Sequence, residues 1–224
     1  MSIYSKISPS QTTAKLNELR GYLGLSLSNR ITGSIPQLHE LLSWAKDHLR
    51  SVCVLVGDYV YRHNLEDLQG LQRDVALALA KTEGVAIAMR VRKVLDELDL
   101  KNSTIVLASE LYELPTFNHR LMVKNALYDS NAEFRELINI ASNGFFERFA
   151  KDRMHIESAR RHSRDYQLEE LALFELLAEQ GYTVNVYPGA HLPVMKDIVA
   201  GKFPGVMPLL ERLTLVELRF RSTP

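Results

Sequence analysis

The feature that most constrains the fold is a short apolar run, Val52-Cys53-Val54-Leu55-Val56. It has no alternating polar residues, which is typical of a strand buried on both faces of a parallel sheet. Residues 35–49, just before this run, have the 3.6-residue apolar spacing of an amphipathic helix. A buried strand next to such a helix indicates an α/β protein.

The same alternation continues along all 224 residues. We predict strands at residues 19–25, 51–56, 104–108, 182–187 and 214–220. We predict helices at residues 35–49, 65–80, 82–98, 163–180 and 193–200, and a further long helical region after residue 108. Because parallel strands need crossover connections, this order predicts one α/β domain, residues 1–224, with a doubly wound parallel sheet.

Composition excludes several classes of protein. The single cysteine, Cys53, excludes a disulfide framework and suits a reducing compartment. The polar residues 1–13 lack the apolar core of a signal peptide, and no apolar run is long enough to span a membrane. We therefore expect a cytoplasmic protein. Basic and acidic residues number 27 each, so net charge gives no indication of a nucleic-acid partner.

Ser26 is the first candidate for chemistry. It lies in Gly24-Leu25-Ser26-Leu27-Ser28-Asn29, just past the first predicted strand, at the edge where open α/β sheets bind ligands. Ser26 could be a nucleophile, a substrate-binding hydroxyl, or a serine that hydrogen-bonds the backbone of a turn, and this stretch alone favours the turn. The stretch lacks the second glycine of the hydrolase Gly-x-Ser-x-Gly turn, and no Gly-Lys-Ser/Thr of a phosphate loop follows it.

Polar residues follow each of the first four predicted strands. Ser26 and Asn29 follow the first, Asp58 the second and Ser109 the third, while Tyr187 closes the fourth. The carboxyl ends of parallel strands meet at one edge of a sheet. We therefore expect these side chains to line a single crevice there.

The helix before the fourth strand adds Tyr166 and Glu170. They are four residues apart and share one helical face. Taken alone, such a pair is more typical of a solvated contact. A carboxylate beside a phenol could also bind a substrate ammonium and transfer a proton.

Two basic groups could contact phosphates. Arg90, Arg92 and Lys93 lie outside the apolar stripe of the predicted helix at residues 82–98, and a second group at residues 160–164 comes just before Tyr166. Each could equally be an ordinary solvated helix face. These patterns alone do not decide between the two interpretations.

The sequence does not point to a metal. The seven histidines have no metal-ligand spacing, and the chain contains neither a His-Glu-x-x-His motif nor a pair of cysteines. We therefore predict no structural or catalytic metal.

Taken together, these residues resemble the cyclodipeptide synthases. The resemblance rests on the joint occurrence of Gly24-x-Ser26-x-x-Asn29, Tyr166-x-x-x-Glu170 and Tyr187-Pro188, in this order, from about residue 20 to the C-terminus. The flanking stretch Glu169-Glu170-Leu171-Ala172-Leu173-Phe174 fits as well. Proline after the second tyrosine is similar to the XYP subfamily, whereas Asn29 is similar to a marker of the NYQ subfamily.

The resemblance implies a Rossmann-like fold similar to the catalytic domain of class Ic aminoacyl-tRNA synthetases, with no use of ATP and no cofactor. It implies an aminoacyltransferase that uses two aminoacyl-tRNAs per turnover and releases a cyclic dipeptide, a 2,5-diketopiperazine. It also suggests that the protein is a monomer.

The resemblance further implies a ping-pong mechanism. Ser26 attacks the ester of the first aminoacyl-tRNA, while Tyr166 and Glu170 hold the ammonium of the bound aminoacyl group and Glu170 transfers a proton. The amine of the second aminoacyl-tRNA then attacks, giving a dipeptidyl-enzyme, whose free amine closes the ring and frees Ser26. Tyr187 assists positioning or proton relay. The basic residues on the helix that would meet tRNA are Arg90, Arg92 and Lys93.

Further residues are expected to bind the substrate. They come from several predicted strands and helices, and they are Gly24, Asn29, Val54, Asp58, Ala108, Phe117 and Leu173. Phe117 stands where many members have a tyrosine, so a hydroxyl is missing there. The small Ala108 and the apolar Leu173 allow an aliphatic aminoacyl group, but the sequence does not identify the amino acids.

Two other hypotheses fit the same fold. A nucleotide- or adenylate-handling enzyme would use Ser26 only to bind phosphate, and it would need a phosphate loop, which is absent from the sequence. A catalytically inactive tRNA-binding relative would lack Ser26, Tyr166 or Glu170, and all three are present.

Overall fold

The structure is organised around a mostly parallel sheet. The computed structural model describes residues 2–7, 14–28, 31–149 and 156–221. Within these residues the strands are β1 (Ser2–Ile7), β2 (Arg20–Leu25), β3 (Ser51–Val56), β4 (Ser103–Leu107), β5 (Val184–Tyr187) and β6 (Thr214–Arg221). Their order is β1-β6-β5-β2-β3-β4. All neighbouring strands are parallel except β1, which pairs antiparallel with β6.

Helices connect the strands and cover both faces of the sheet. They are α1 (Ile35–His48), α2 (Asp58–Gln69), α3 (Arg73–Glu97), α4 (Ala108–Tyr112), α5 (Pro115–Ser130), α6 (Ala132–Phe149), α7 (Ile156–Glu179), α8 (Pro193–Val199) and α9 (Pro208–Glu211). A short 3-10 helix, Leu16–Glu18, precedes β2. None of the helices in the described ranges combines the length and the apolar character that crossing a bilayer requires. The alternation of strands and helices confirms the predicted α/β class.

The two faces of the sheet carry different side chains because residues alternate along a strand. On one face, valines and leucines such as Leu23, Val54 and Val186 pack in one core cluster with side chains of α1 and α3. On the other face, Tyr22 and Leu55 pack in a second cluster with side chains of α7. The face covered by α7 is the one that carries the cavity described below.

The boundary between α2 and α3 differs from the prediction. We predicted helices at residues 65–80 and 82–98, whereas α2 ends at Gln69 and α3 continues through residue 81. Gly70 has a φ of +66°, a left-handed conformation that ends a helix and that glycine adopts readily. Within α3, the hydroxyl of Thr82 donates to the carbonyl of Ala78 at 2.9 Å, so Thr82 is accommodated without a break.

Close packing explains a glycine inside α3. A Cβ atom placed on Gly84 would lie 2.4 Å from the Cβ of Asp58, far inside van der Waals contact. Asp58 is fully buried at the start of α2. Gly84 therefore lets α3 approach the amino end of α2 more closely than any larger residue would.

Three further boundaries differ from the prediction. Residues 2–7, within the segment interpreted only as polar, form the edge strand β1. The strand predicted at residues 104–108 ends at Leu107, and Ala108 begins α4. Helix α7 begins at Ile156, seven residues before the predicted start. These shifts leave the order of the predicted elements unchanged.

Candidate active site

A cavity of about 590 Å³ lies between the carboxyl ends of the central strands and helix α7. Its walls include Gly24 and Leu25 at the end of β2, Gly57 after β3, and Tyr187 at the end of β5. Residues of α2, α6, α7 and α8 close the remaining sides. The cavity is thus at the sheet edge where the sequence predicted a crevice.

Ser26 lies at this cavity, directly after β2. Its Oγ is 3.1 Å from the Oγ of Ser28, which also faces the cavity. Two residues earlier, Gly24 also lines the cavity, and an added Cβ there would meet the ring of Phe174 at 3.8 Å, an ordinary van der Waals contact. The cavity is thus bounded near Ser26 by the backbone of Gly24 and the ring of Phe174.

Tyr166 and Glu170 of α7 line the same cavity, and the phenol of Tyr166 lies next to Ser26. Burial and the nearby carboxylate of Glu170 raise the pKa of Tyr166 well above its usual value, although a hydrogen bond with Ser26 opposes this change. The phenol of Tyr166 therefore stays protonated and can donate a hydrogen bond at neutral pH. Burial also raises the pKa of Glu170 to about 7, from an ordinary value near 4.5.

Tyr187 completes the set of predicted catalytic residues. It ends β5, lines the same cavity and is close enough to Tyr166 to raise the pKa of that phenol. Its ring packs against the imidazole of His191, with ring centroids 5.6 Å apart. The structure therefore brings Ser26, Tyr166, Glu170 and Tyr187 into one cavity.

A buried ion pair fixes helix α7 against α2. Glu169 accepts hydrogen bonds from Nη1 and Nη2 of Arg62 at 2.9 and 2.6 Å, and its Oε2 is 3.1 Å from Nε2 of His63. Burial by itself would raise the pKa of Glu169, but the hydrogen bonds from His63 and Arg62 hold that pKa below its usual value. A charged Glu169 thus anchors α7 and sets the direction in which the adjacent Glu170 projects.

Of the seven expected substrate-binding residues, Gly24 and Leu173 line the cavity. Val54 does not, because its side chain lies on the opposite face of the sheet, in the core beneath α1 and α3. Ala108 and Phe117 are fully buried in the core on the α7 side and are not among the cavity walls.

Two more of the expected residues have other positions. The carboxylate of Asp58 accepts hydrogen bonds from the backbone N–H and the hydroxyl of Ser109 at 2.9 and 2.6 Å, so it joins α2 to α4 and does not line the cavity. Asn29 lies outside the described residues.

The basic residues expected to meet tRNA lie on α3, away from the cavity walls. Arg92 and Lys93 are exposed, and Lys93 forms a 3.9 Å ion pair with Glu97 one turn later. Arg90 instead donates to the carbonyl of Thr32 at 2.9 Å. Arg90 thus ties α3 to the segment between the Ser26 turn and α1.

Sequence reasoning missed several polar cavity residues. Asn185 lines the cavity two residues before Tyr187, so it lies on the same face of β5. His191 is also buried at the cavity, and burial lowers its pKa to about 4, which leaves the imidazole neutral at pH 7. The alternation of residues 185 and 187 along the strand would have identified Asn185, whereas His191 follows in a turn without a recognisable pattern.

In the described ranges, no group of three or more histidine, cysteine, aspartate or glutamate side chains is placed to hold a metal ion.

Solved structures share this architecture over almost the whole chain. A cyclodipeptide synthase from Fluoribacter dumoffii superposes with a TM-score of 0.84, at 21% identity, covering 100% of both chains. A Mycobacterium tuberculosis protein, whose structure relates cyclodipeptide synthetases to type I tRNA synthetases, superposes with a TM-score of 0.75, at 14% identity, covering 96% of this chain and 92% of the other. The predicted Rossmann-like fold of the class I synthetase type is thereby confirmed.

A third structure is the cyclodipeptide synthase from Candidatus Glomeribacter gigasporarum, with a TM-score of 0.65 at 19% identity, covering 95% of this chain and 91% of the other. No curated protein sequence matches the chain. The sequence profile described as Cyclodipeptide synthase matches residues 22–204, which include all the cavity residues named above. The chain therefore belongs to the cyclodipeptide synthase family.

Proposed function

We propose that this protein makes a cyclic dipeptide, a 2,5-diketopiperazine, from two aminoacyl-tRNAs, with Ser26 as the nucleophile. The observation that carries the proposal is the convergence of Ser26, Tyr166, Glu170 and Tyr187 on one cavity. A serine alone is a weak nucleophile, but an aminoacyl ester is already activated. The cavity therefore has mainly to position the ester and manage the protons.

In the first step, the Oγ of Ser26 attacks the ester carbonyl of the first aminoacyl-tRNA. A new bond forms between Oγ and the carbonyl carbon, and the bond from that carbon to the ribose oxygen breaks. The proton of the serine hydroxyl leaves with the ribose oxygen, which becomes the free 3′ or 2′ hydroxyl of tRNA. The neutral phenol of Tyr166, next to Ser26, is placed to donate a hydrogen bond during this transfer.

Glu170 holds and then deprotonates the ammonium of the acyl group on Ser26. A carboxyl group whose pKa lies at about 7 is divided between its two forms at neutral pH, so it can both accept and return a proton. The approach of an ammonium favours the ionised form of Glu170. Tyr187, on the opposite wall, is placed to orient the acyl group.

In the second step, which forms the peptide bond, the attacking amine differs from the one that the resemblance implies. If the amine of the second aminoacyl-tRNA attacked the acyl-serine, Ser26 would be released and the dipeptide would remain on tRNA. For a dipeptidyl-serine to form, the amine on Ser26 must attack the ester of the second aminoacyl-tRNA, forming the peptide bond and releasing tRNA. The new terminal amine then attacks the seryl ester, which closes the ring and restores the Ser26 hydroxyl.

The tRNA body is proposed to contact α3. Arg92 and Lys93 are exposed there, and Arg90 links the same helix to the segment after Ser26. The relative from Candidatus Glomeribacter gigasporarum is bound to Phe-tRNA in its structure, which supports a charged tRNA as the partner here. We further propose a cytoplasmic monomer, with residues 1–224 as one domain. The Tyr187-Pro188 pair supports assignment to the XYP subfamily.

Ser26→Ala tests the nucleophile directly. The purified variant, incubated with a mixture of aminoacyl-tRNAs, should give neither a diketopiperazine nor an acyl adduct by mass spectrometry, whereas the wild-type protein gives both. Ser28→Ala is the matched control, because it removes the neighbouring hydroxyl 3.1 Å away and should keep the adduct on Ser26. Product from Ser26→Ala would remove Ser26 from this role, and no product from the wild-type protein would contradict the proposed function.

A further inference from the structure

The floor of the cavity carries buried polar groups without partners. Tyr22 and Asn185 are register partners on the adjacent parallel strands β2 and β5, and both project from the α7 face of the sheet. Asn185 lines the cavity and is 2% exposed, while Tyr22 is fully buried. Among the described residues, neither the amide nitrogen of Asn185 nor the hydroxyl of Tyr22 makes a hydrogen bond of ordinary length, although Asn185 lies close enough to Tyr22 to lower the pKa of that phenol. Leaving such groups unpaired costs free energy, so they indicate a place for a polar ligand group.

Gly24 connects this floor to the nucleophile. Gly24 lies between Tyr22 and Ser26, and an added Cβ on Gly24 would be in van der Waals contact with the ring of Phe174 at 3.8 Å. Tyr22 pairs with Asn185 and β2 ends at Leu25, so the strand carries the chain about 10 Å past Asn185 before Ser26, at about 3.3 Å per residue. An acyl group on Ser26 needs a long side chain to reach the floor.

The walls along this path are apolar. Leu173, Phe174 and Met195 line the same cavity as Ser26 and Asn185. The nearby carboxylate of Glu217 is already paired, with Nζ of Lys196 at 2.7 Å and the backbone N–H of His191 at 3.1 Å. Burial and the carboxylate of Glu170 raise the pKa of Tyr22, so its hydroxyl remains neutral. Asn185 and Tyr22 therefore offer uncharged hydrogen-bonding groups beside apolar side chains of the cavity, with the carboxyl group of Glu170 close to Tyr22.

We propose that the aminoacyl group accepted by Ser26 has a long, uncharged side chain that ends in a hydroxyl or an amide, and that Asn185 binds this terminal group. The inference rests on the proposed function and adds the class of its first substrate. It replaces the aliphatic side chain that Ala108 and Leu173 suggested in the sequence. A site that hydrogen-bonds a substrate hydroxyl discriminates strongly against the analogue without it, because the polar groups of the site are then left unpaired.

The test measures how fast Ser26 is acylated by four preparations of one tRNA species, each charged with a different amino acid. The amino acids form two pairs, tyrosine with phenylalanine and glutamine with methionine. Each pair matches a polar with an apolar end at similar length, and the shared tRNA removes differences in tRNA recognition. The readout is the rate at which the intact-protein mass increases. We expect the polar member of at least one pair to react about 100-fold faster than its apolar counterpart.

Asn185→Leu should reduce the ratio of the two acylation rates, polar member over apolar member, at least tenfold, while acylation by the apolar member persists. Asn64→Leu is the matched control, because it removes an amide from the α2 wall of the same cavity and should leave the ratio as in the wild-type protein. If Asn185→Leu fails to fold, Tyr22→Phe removes only one oxygen and should also lower the ratio.

The outcomes separate the two proposals. Rapid acylation by phenylalanyl and methionyl groups, with ratios near one, would overturn the inference and leave the proposed function intact. If the polar member reacts much faster in the wild-type protein and equally so in Asn185→Leu, Asn185 is not the residue that binds the polar end of the side chain. Absence of an acyl-enzyme with all four aminoacyl groups, together with an adduct from the full mixture of aminoacyl-tRNAs, would overturn the inference alone. Absence of an adduct from the full mixture as well would overturn both proposals.

Discussion

Glu169 and Glu170 are consecutive residues of α7, yet their carboxylates have opposite surroundings. Glu169 accepts two hydrogen bonds from the guanidinium of Arg62, and its pKa is held low. Glu170 faces the cavity beside Tyr166, and burial raises its pKa to about 7. One carboxylate fixes the helix, while the next faces the cavity, where we propose that it transfers protons.

The high pKa of Glu170 should make the stability of the protein depend on pH. A carboxyl group whose pKa is raised on folding stabilises the folded state below its unfolded pKa, and this contribution is lost as pH rises through about 7. The unfolding free energy of Glu170→Gln minus that of the wild-type protein should therefore increase by about 2 kcal/mol from pH 5 to pH 8. Urea denaturation at the two pH values measures the difference. The same gain in Glu110→Gln, an exposed glutamate on α4, would contradict this assignment.

The pair of Arg62 and Glu169 should be important for stability. Both side chains are almost fully buried, so Glu169→Ala removes the close carboxylate partner of the guanidinium and leaves Glu66, 4.0 Å from Nε, as a more distant one. This change should cost about 3–5 kcal/mol in urea unfolding. Asp165→Ala is a control on the same helix, since the Arg164–Asp165 pair at 2.6 Å is about one-third exposed. That control should cost less than about 1 kcal/mol. Equal losses in the two variants would show that the buried pair does not anchor α7.

The exposed basic residues of α3 should attract aminoacyl-tRNA through their positive charge. Arg92→Ala combined with Lys93→Ala should lower kcat/KM for aminoacyl-tRNA. It should also make the negative slope of log kcat/KM against log salt concentration shallower by about 1–2. The control pair is Arg50→Ala with Lys101→Ala, two exposed cations at the amino edge of the sheet. Kinetics at several salt concentrations give both slopes. An unchanged slope in the α3 variant would make these residues an ordinary solvated face.

The contact between α2 and α3 should tolerate no side chain at Gly84. Gly84→Ala would place its Cβ 2.4 Å from the Cβ of Asp58, and we expect a loss of about 1–3 kcal/mol. Gly144→Ala on α6 is the matched control, because its added Cβ has no neighbour within 4 Å. That change should stabilise the protein by about 0.5–1 kcal/mol. Thermal unfolding compares them, and two shifts of the same sign would contradict the packing argument.

The sequence predicted which segments are strands better than which way their side chains point. The run Val52-Cys53-Val54-Leu55-Val56 is apolar at every position, so it contains no information about which residues face the cavity. The structure places Leu55 at the cavity and Val54 in the opposite core. A shift of one residue reverses the face, which is why Val54 was expected on the wrong side.

The helix boundary at Gly70 was missed for a different reason. Residues 58–69 include Asp58, Arg62, His63 and Asn64, which are all buried although they are polar. Their burial depends on partners distant in the chain, such as Ser109 for Asp58 and Glu169 for Arg62. The sequence of α2 therefore has no local apolar pattern from which the helix could be predicted. That Ser26, Tyr166, Glu170 and Tyr187 share one cavity could be predicted, because Tyr166 and Glu170 are one helical turn apart and Ser26 and Tyr187 stand at strand ends.

The strand order has a consequence for how the protein is made on the ribosome. Strand β2, which carries the chain to Ser26, is flanked by β3 and by β5, and the latter contact joins Leu23 to Val186. Helix α7, with Tyr166 and Glu170, also follows late in the chain. A nascent chain therefore displays Ser26 long before it can assemble the cavity. The cavity around Ser26 is therefore complete only after residues 156–187 have been made.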